Sequence, residues 1–326
     1  MSQCPAKPLQ RIGLIADVQY VDDDDAFNYR KTRRRYYRSS LDRFRAAVDH
    51  WREEKIERVI QLGDLLDGKS SSQGKKDSDF AQLERVISGL PVPWHHCIGN
   101  HELYNFTEKE LRAWMSRDSR IELKDANFYA FSPAPGFLVV VLNSYEINYA
   151  NQKDANENGD VSLLVRNAEA RRLLDANNPN DNKNSPTGLV DFDRRWVAFN
   201  GGLGKHQLQW FESQLSSAKS KREKVLVVSH VPIEPKACAD ILDLAWDYEG
   251  AQNVISRFGD VVVGVFAGHD HDGNSYLDEA ANILYVTFKA VLETEPGSNA
   301  FAICDLFDDR IVFKGFGKIP TYVVQF

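Results

Sequence analysis

The sequence has little cysteine, and no two of its cysteines form a CxxC pair. Its four cysteines are Cys4, Cys97, Cys238 and Cys304, and their spacing indicates no disulfide framework. No apolar run approaches the ~20 residues that cross a bilayer. Residues 1–10 contain no apolar core of the kind that a secretory signal needs. We therefore expect a reduced, cytoplasmic protein with no membrane segment.

An excess of positive charge is also absent. Lys and Arg number 40 against 47 Asp and Glu, which gives a formal net charge of -7. Proteins that bind nucleic acid more often carry a basic surplus, so this balance argues against such a partner. It remains compatible with a small anionic substrate, because a bound cation can dominate the local field. The 326 residues are enough for one large core, and we expect a single domain over residues 1–326, as a monomer.

Apolar runs alternate with amphipathic segments over most of the chain, and a series of strands follows. The predicted helices cover residues 32–55, 80–89, 107–116, 205–219 and 240–257. The first of them would carry three consecutive arginines, residues 33–35, in its first turn. The final predicted strands cover residues 283–288, 301–306, 310–316 and 322–326. This order predicts an α/β fold, a two-sheet sandwich with helices outside.

Residues 145–204 depart from this alternation. The segments 151–160 and 177–187 are rich in Asn, Asp and Lys and show no apolar period, and residues 163–174 between them predict a short helix. Long irregular segments inside a compact domain are usually lids or binding loops. We interpret residues 145–204 as a polar insertion over the active face.

Five of the apolar runs end in residue types that bind metals. The motifs are Asp17-Val18-Gln19, Gly63-Asp64, Gly99-Asn100-His101-Glu102, Ser229-His230 and Gly268-His269-Asp270-His271. Each alone has an ordinary explanation, since Gly-Asp is commonly a turn and a lone His is commonly a core residue. In open α/β sheets, however, ligands bind beyond the carboxyl ends of the strands. The five motifs together therefore predict one site.

The candidate ligands combine carboxylates, imidazoles and two amides. They are Asp17, Gln19, Asp64, Asn100, His230, His269 and His271. Mixed oxygen and nitrogen ligands without thiolate suit Mn²⁺, Mg²⁺, Fe or Zn²⁺. Seven ligands are too many for one ion but suit two ions that share a bridge. Asp64 is the natural candidate for the bridging carboxylate.

These motifs resemble those of the calcineurin-like metallophosphoesterases. That superfamily shows Asp-x-His, Gly-Asp-x-x-Asp, Gly-Asn-His-Glu or Asp, a later His, and Gly-His-x-His. The resemblance covers residues 11–271. It implies a β sandwich flanked by helices, with four layers in the order α/β/β/α. It also implies two ligand sets that share Asp64: Asp17, Gln19, Asp64 and His271 for one ion, and Asp64, Asn100, His230 and His269 for the other.

Gln19 stands where most of that superfamily has His. An amide oxygen is a harder ligand than an imidazole, which favours Mn²⁺ or Mg²⁺. The sequence resembles the manganese-dependent ADP-ribose/CDP-alcohol diphosphatases. The resemblance rests on the Asp-Val-Gln motif with Gln19, the TRRRYY run at residues 32–37, Phe199-Asn200-Gly201-Gly202 and the GHDHDG run at residues 268–273. This resemblance implies a small-molecule nucleotide substrate, such as ADP-ribose or CDP-choline. Its diphosphate would be cleaved to give a nucleoside monophosphate.

His101 is not needed as a metal ligand in this scheme. We predict that it is a transition-state donor or general acid, oriented by Asp67. The alternative for Asp67 is a turn cap. Asn100 is predicted both to bind metal and to contact phosphate.

Substrate contacts are predicted from the segment after the first motif. Phe27 and Tyr29 are candidates for stacking on a base, with loop packing as the alternative. Arg33 is a candidate for contact with the substrate, with simple solvation as the alternative.

Two other functions remain compatible with the sequence. One is a phosphomonoesterase or phosphodiesterase of the same superfamily with another substrate. The other is a binding scaffold that has lost catalysis. A scaffold should have lost ligands or His101, and Gln19 is the one departure among them.

Overall fold

The computed structural model describes residues 7–117, 123, 127–150 and 161–326. Its strands are β1 (Gln10–Ile15), β2 (Ala26–Phe27), β3 (Arg34–Arg35), β4 (Arg58–Gln61), β5 (Trp94–His96), β6 (Tyr129–Phe131), β7 (Phe137–Val141), β8 (Ile147–Asn148), β9 (Gly201–Gly202), β10 (Lys224–Val228), β11 (Val262–Ala267), β12 (Asn274–Asp278), β13 (Ile283–Thr287), β14 (Ala300–Leu306), β15 (Arg310–Gly317) and β16 (Tyr322–Gln325). Its helices are α1 (Tyr37–Glu53), α2 (Lys69–Ser72), α3 (Lys76–Ser88), α4 (Asn100–Asn105), α5 (Glu108–Met115), α6 (Val161–Asn177), α7 (Gly204–Lys221) and α8 (Tyr248–Arg257). Within this part of the chain, each helix falls short of the length and apolarity that crossing a bilayer requires.

Twelve of the strands form two six-stranded sheets. The first has the order β16-β15-β14-β1-β4-β5, and the second has the order β12-β13-β11-β10-β7-β6. In the first sheet β1, β4 and β5 are parallel. In the second sheet β7, β10, β11 and β13 are parallel. Of the five strands that precede the predicted metal motifs, β1, β4 and β5 are therefore parallel to one another in the first sheet and β10 and β11 in the second, so within each sheet their carboxyl ends lie at one edge.

The two sheets face each other across the apolar core, and helices cover their outer faces. Phe266 on β11 stacks on Phe313 on β15 with ring centroids 5.1 Å apart. On the outside of the first sheet, the α1 residue Trp51 contacts Phe301 edge to face. Helix α7 packs on β7 and β10 of the second sheet, and its residue Phe211 is fully buried. The predicted α/β sandwich with outer helices is confirmed.

The prediction of a helix over residues 32–55 is wrong at its start. Helix α1 begins at Tyr37, and Arg34–Arg35 form β3, which pairs antiparallel with β2. The backbone N–H of Tyr36 donates to Leu292 O at 2.9 Å, and Arg35 Nε donates to Glu293 Oε1 at 3.1 Å. These contacts with a distant segment hold the arginines in extended backbone. The arginines therefore do not lie in a helical first turn.

Other element boundaries also differ from prediction. The helix predicted over residues 80–89 begins earlier, at Lys76, as α3, and the short helix α2 precedes it. The helix predicted over residues 240–257 is a 3₁₀ turn at Ile241–Asp243 followed by α8. Strand β12 was not predicted. Its five residues are only partly buried or exposed, so it carries no apolar run.

The predicted insertion is closed at its base by a pair of short strands. Strand β8 pairs antiparallel with β9, which joins the two ends of the segment. The helix predicted over residues 163–174 is confirmed and is longer, as α6. A small apolar cluster next to this helix contains Ile147, Ala170, Leu174 and Trp196. The polar segment 151–160 lies outside the described residues.

Candidate metal centre

The structure brings the seven predicted ligands together where the two sheets meet. Ligand atoms of Asp64, His230 and His269 all lie within 4.8 Å of one another. Gln19 Nε2 lies 2.9 Å from Asp64 Oδ2 and 2.9 Å from His271 Nε2. These residues come from four different strand ends of the first and second sheets. Five of the seven predicted ligands thus form one continuous cluster.

The remaining two predicted ligands, Asp17 and Asn100, both contact this cluster. Asp17 Oδ1 lies 3.7 Å from His271 Nε2, and Asp17 Oδ2 accepts the backbone N–H of His269 at 3.0 Å. Asn100 Oδ1 lies 3.1 Å from His269 Nδ1. Asp17 and Asn100 are both buried. The ligand assignment from the sequence remains a prediction, and the geometry is compatible with all seven.

Four of the predicted ligands have left-handed backbone. The φ angles are 51° at Asp17, 40° at Gln19, 57° at Asp64 and 69° at His269. Such angles are uncommon for residues other than glycine and persist only where the surroundings enforce them. Here the backbone N–H of Gln19 donates to Asp64 O at 2.9 Å, which fixes two of the turns against each other. Strained backbone concentrated at these positions indicates a functional site.

The glycines of two motifs are required by close approach. A Cβ on Gly63, whose φ is +102°, would overlap the ring of His230. A Cβ on Gly99 would overlap the carboxylate of Asp64. The glycines of the Gly-Asp and Gly-Asn-His-Glu motifs are therefore required by close packing as well as by the turns.

Unpaired buried atoms show that the cluster fits a bound cation. Asp17 Oδ1, Gln19 Oε1 and His230 Nε2 are buried and have no hydrogen-bond partner among the described residues. Leaving a buried polar atom unpaired costs about 1–3 kcal/mol. His230 Nδ1 donates to Leu62 O at 2.8 Å, so in the neutral ring its Nε2 carries the lone pair. A divalent cation would satisfy these atoms, and the donor set suits Mn²⁺ or Mg²⁺.

The charges in the cluster depend on one another. Burial raises the pKa of Asp17 to about 6, although His230 and His271 oppose the rise. Burial would also raise the pKa of Asp64, but the imidazoles of His230 and His101 outweigh it and lower that pKa. Burial opposes protonation of His230, yet Asp64 raises the pKa of this imidazole to about 9. Mutually shifted acids and bases of this kind are typical of functional sites.

His101 lies at the edge of the cluster with one ring nitrogen free. Its Nδ1 accepts the backbone N–H of Gly68 at 2.9 Å, so Nε2 carries the proton in the neutral ring. Nε2 lies 3.9 Å from Asp64 Oδ2. Asp67 Oδ2 is 3.4 Å from Nδ1, while Asp67 Oδ1 accepts the backbone N–H of Lys69 at 2.9 Å. Gly68 therefore holds the ring through Nδ1, while Asp67 caps the turn and its Oδ2 has no hydrogen-bond partner among the described residues, so its predicted orienting role stays a prediction.

Glu102 holds two of the ligand loops together, a role that the sequence analysis did not assign. Its fully buried carboxylate accepts the backbone N–H groups of Asp64 at 2.7 Å, Leu65 at 2.7 Å and Gly99 at 2.8 Å. One available signal was its position at the third residue of α4, where a Glu often caps the helix start.

Replacing Glu102 with glutamine should lower the free energy of unfolding by about 2–3 kcal/mol, because an amide NH₂ would face backbone donors. The measurement is urea denaturation in the presence of EDTA. Glu110→Gln is the matched control, since Glu110 occupies the same position of α5 but is exposed. An equal loss in both variants would contradict the bracing role of Glu102.

Glu293 was also missed by the sequence analysis. Its Oε1 lies 2.8 Å from His271 Nδ1 and accepts from Arg35 Nε at 3.1 Å. Burial would raise the pKa of Glu293, but His271 and Arg35 lower it to about 2. The ionised carboxylate orients the imidazole so that His271 Nε2 faces Gln19. No motif in the sequence predicts this contact between Glu293 and His271.

A cavity of about 730 Å³ opens above the ligands. Its walls include Tyr29 and Arg33 from the β2–β3 hairpin and residues 184–187 from the insertion. Tyr29 is 97% exposed, and Arg33 pairs with Asp272 at the wall. Phe27 is 61% exposed and does not form part of the wall. Of the three predicted substrate contacts, two therefore line the cavity.

Comparison with known proteins adds independent information. A family model described as calcineurin-like phosphoesterase matches residues 10–273. A protein from Danio rerio named manganese-dependent ADP-ribose/CDP-alcohol diphosphatase is 37% identical over 98% of this chain and 99% of its own length. A protein of the same name from Xenopus tropicalis is 38% identical, with coverage of 98% and 95%.

A solved structure also has the same fold as this chain. The crystal structure of a dimetal phosphatase from Danio rerio superposes with a TM-score of 0.91 and 36% identity. The alignment covers 98% of this chain and 99% of that one. The similarity therefore includes the insertion and the last strands, as well as the metal motifs.

Proposed function

Because the chain belongs to the calcineurin-like phosphoesterase family, we propose that it is a manganese-dependent diphosphatase that hydrolyses ADP-ribose and CDP-alcohols. The observation that carries this proposal is the convergence of seven ligand-type side chains beneath one large cavity. The near full-length similarity to proteins that carry this name supports the same choice of substrate. The products would be a nucleoside monophosphate and a phosphorylated alcohol or sugar.

The proposed ligand sets share Asp64. Asp17, Gln19, Asp64 and His271 would hold one manganese ion, and Asp64, Asn100, His230 and His269 would hold the other. When bound, two such ions neutralise phosphoryl oxygens and lower the pKa of a bound water. The chain itself supplies the shape of the site. Its strained loops, braced by Glu102, present the ligand atoms from several strands at once.

His101 is proposed to act on the reacting phosphate as a hydrogen-bond donor or as a general acid. Because Nδ1 accepts from Gly68, the Nε2 proton is available for an oxygen of the reacting phosphate or of the leaving group. The leaving group is a phosphate monoester, which needs less protonation than an alkoxide. His101 therefore acts in this proposal chiefly by stabilising charge in the transition state.

The cavity provides the rest of the substrate site in this proposal. Tyr29 offers an aromatic face at the entrance, which suits stacking on adenine or cytosine. Arg33 reaches the same wall and would contact phosphate after exchanging its contact with Asp272. Residues 184–187 would form another part of the wall, as expected for an insertion over the active face.

We also propose a single-domain, monomeric and cytoplasmic protein. All seven proposed ligands come from one chain, so the site requires no second copy. The three cysteines in the described part of the chain, Cys97, Cys238 and Cys304, are buried and unpaired. Free cysteines are usual in a reducing compartment.

The test is release of AMP from ADP-ribose and of CMP from CDP-choline, with Mn²⁺ compared with Mg²⁺. We expect Mn²⁺-dependent release of both nucleotides from the wild type and loss of release in His230→Ala. Metal content should be measured on the same samples. This second measurement separates the remaining functions when no nucleotide appears.

Each outcome points to one function. Mn²⁺-dependent release supports the diphosphatase. Bound metal without release from either substrate would overturn the proposed substrate class and favour another phosphoester. Neither metal nor release would favour a binding scaffold.

A further inference from the structure

Asn200 is a buried asparagine at the base of the insertion, next to β9. Its side chain is fully enclosed. Its Nδ2 donates to Arg195 O at 2.9 Å and to Leu242 O at 2.7 Å. Both amide protons are therefore used by carbonyl groups. The orientation of the amide is fixed, and Oδ1 must point the other way.

Oδ1 of Asn200 lies 2.7 Å from His269 Nε2. An amide oxygen only accepts, so Nε2 must carry the proton and donate it to Asn200. The other ring nitrogen, Nδ1, then holds the lone pair. It faces Asn100 Oδ1 at 3.1 Å. Two acceptors facing each other at this distance, without a proton between them, form a pair of ligands for a cation.

The other end of the insertion contacts the second member of this pair. The hydroxyl of Tyr145 lies 3.1 Å from Asn100 Oδ1 and 3.1 Å from Phe199 O. Tyr145 directly precedes β8, and β8 pairs with β9. Both ends of the insertion therefore touch the ligands that are proposed to bind the same ion.

We propose that Asn200 is a positioning residue that selects the tautomer of His269 and thereby raises the affinity of the site for its ion. This inference rests on the proposed metal centre. Partners of metal-binding imidazoles hold the ring in place and prevent the metal-binding nitrogen from being protonated. Asn200 makes this contact from the insertion, so the insertion contributes to metal binding as well as to the cavity wall.

The test compares Mn²⁺ binding to Asn200→Ala with binding to a matched control, Asn178→Ala. Asn178 is equally buried in the insertion and donates to backbone carbonyls, including Trp196 O at 2.7 Å. It contacts no proposed ligand. Binding is followed by the electron paramagnetic resonance signal of free Mn²⁺. We expect Asn200→Ala to weaken the binding of one ion ~10–100-fold, and Asn178→Ala to leave both ions at wild-type affinity.

A second readout uses the metal-free protein. Nitrogen-15 NMR of the His269 ring should show a proton on Nε2 in the wild type and in Asn178→Ala. The ring should lose this preference in Asn200→Ala. Asn200→Asp keeps an acceptor for Nε2 and should restore Mn²⁺ affinity toward the wild-type value, although it loses a donor to Arg195 O or Leu242 O.

The outcomes distinguish this inference from the proposed function. Wild-type affinity in Asn200→Ala, or equal weakening in Asn178→Ala, would overturn the role of Asn200. An unchanged tautomer of His269 would overturn it as well. If the wild type bound no Mn²⁺, the proposed metal centre would fail, and the claim about metal affinity with it.

Discussion

Replacing Asp64 with asparagine should reduce kcat/KM for ADP-ribose by ~10²–10⁴-fold. Breaking a buried charge arrangement by changing one partner costs about 3–5 kcal/mol, and each 1.36 kcal/mol is a factor of ten in rate. Asp64 Oδ1 accepts the backbone N–H of His101 at 2.8 Å and lies 3.5 Å from His230 Nε2. Asp64 Oδ2 accepts from Gln19 Nε2 at 2.9 Å. An amide keeps one acceptor oxygen and loses the charge that both ligand sets share.

Two measurements check the Asp64 prediction. Steady-state hydrolysis gives the loss of rate, and Mn²⁺ titration should show fewer than two bound ions. Asp79→Asn is the matched control, because Asp79 is equally buried but its carboxylate bonds outside the cluster, with Ser70 Oγ at 2.8 Å and with the backbone of Asp22. We expect this control to retain both ions and the wild-type rate. Two tightly bound Mn²⁺ ions in Asp64→Asn would contradict the bridging role of Asp64.

Replacing His101 with alanine should lower kcat by ~10²–10⁴-fold while Mn²⁺ affinity stays at the wild-type value. This range is usual for a lost general acid or base. Metal binding should persist because His101 belongs to neither proposed ligand set, and its Nε2 is 3.9 Å from the nearest carboxylate oxygen of Asp64. Asp67→Asn should have a smaller effect, since Gly68 also holds the ring.

The choice of substrate separates the two roles considered for His101. If it protonates the leaving group, a substrate that releases p-nitrophenol should lose much less rate than ADP-ribose in His101→Ala. If it stabilises charge on the phosphoryl oxygens, both substrates should lose rate equally. His206→Ala is the control, because His206 is an exposed histidine paired with Glu146. Loss of a metal ion in His101→Ala would show that His101 is a ligand.

The residues that meet at the site could be predicted from the sequence because the sheet topology alone places the ends of their strands together. An apolar run marks a buried strand, and the carboxyl ends of parallel strands share one edge. A residue such as Asp64 or His230, standing directly after such a run, is therefore placed at that edge by the sheet itself. This reasoning needs no contact between distant residues.

The residues that support the site depend on such distant contacts and could not be predicted. Glu293 meets His271 through a loop after β13, and Asn200 meets His269 from the insertion. Neither pair leaves a local pattern. The extended backbone of the arginines before α1 could not be predicted for the same reason, because it depends on the hydrogen bond from Tyr36 N–H to Leu292 O. Local propensity alone favoured a helix there.

The pairing of β1 also determines when this protein can fold during its synthesis. β1 pairs with β4 on one side, but its partner on the other side is β14, with Gln10 opposite Leu306. One edge of a central strand therefore stays open until β14 has left the ribosome. Exposed strand edges invite pairing with other chains. Translation pauses or chaperones that shield β1 should thus decide the yield of active enzyme more strongly than changes near the metal loops.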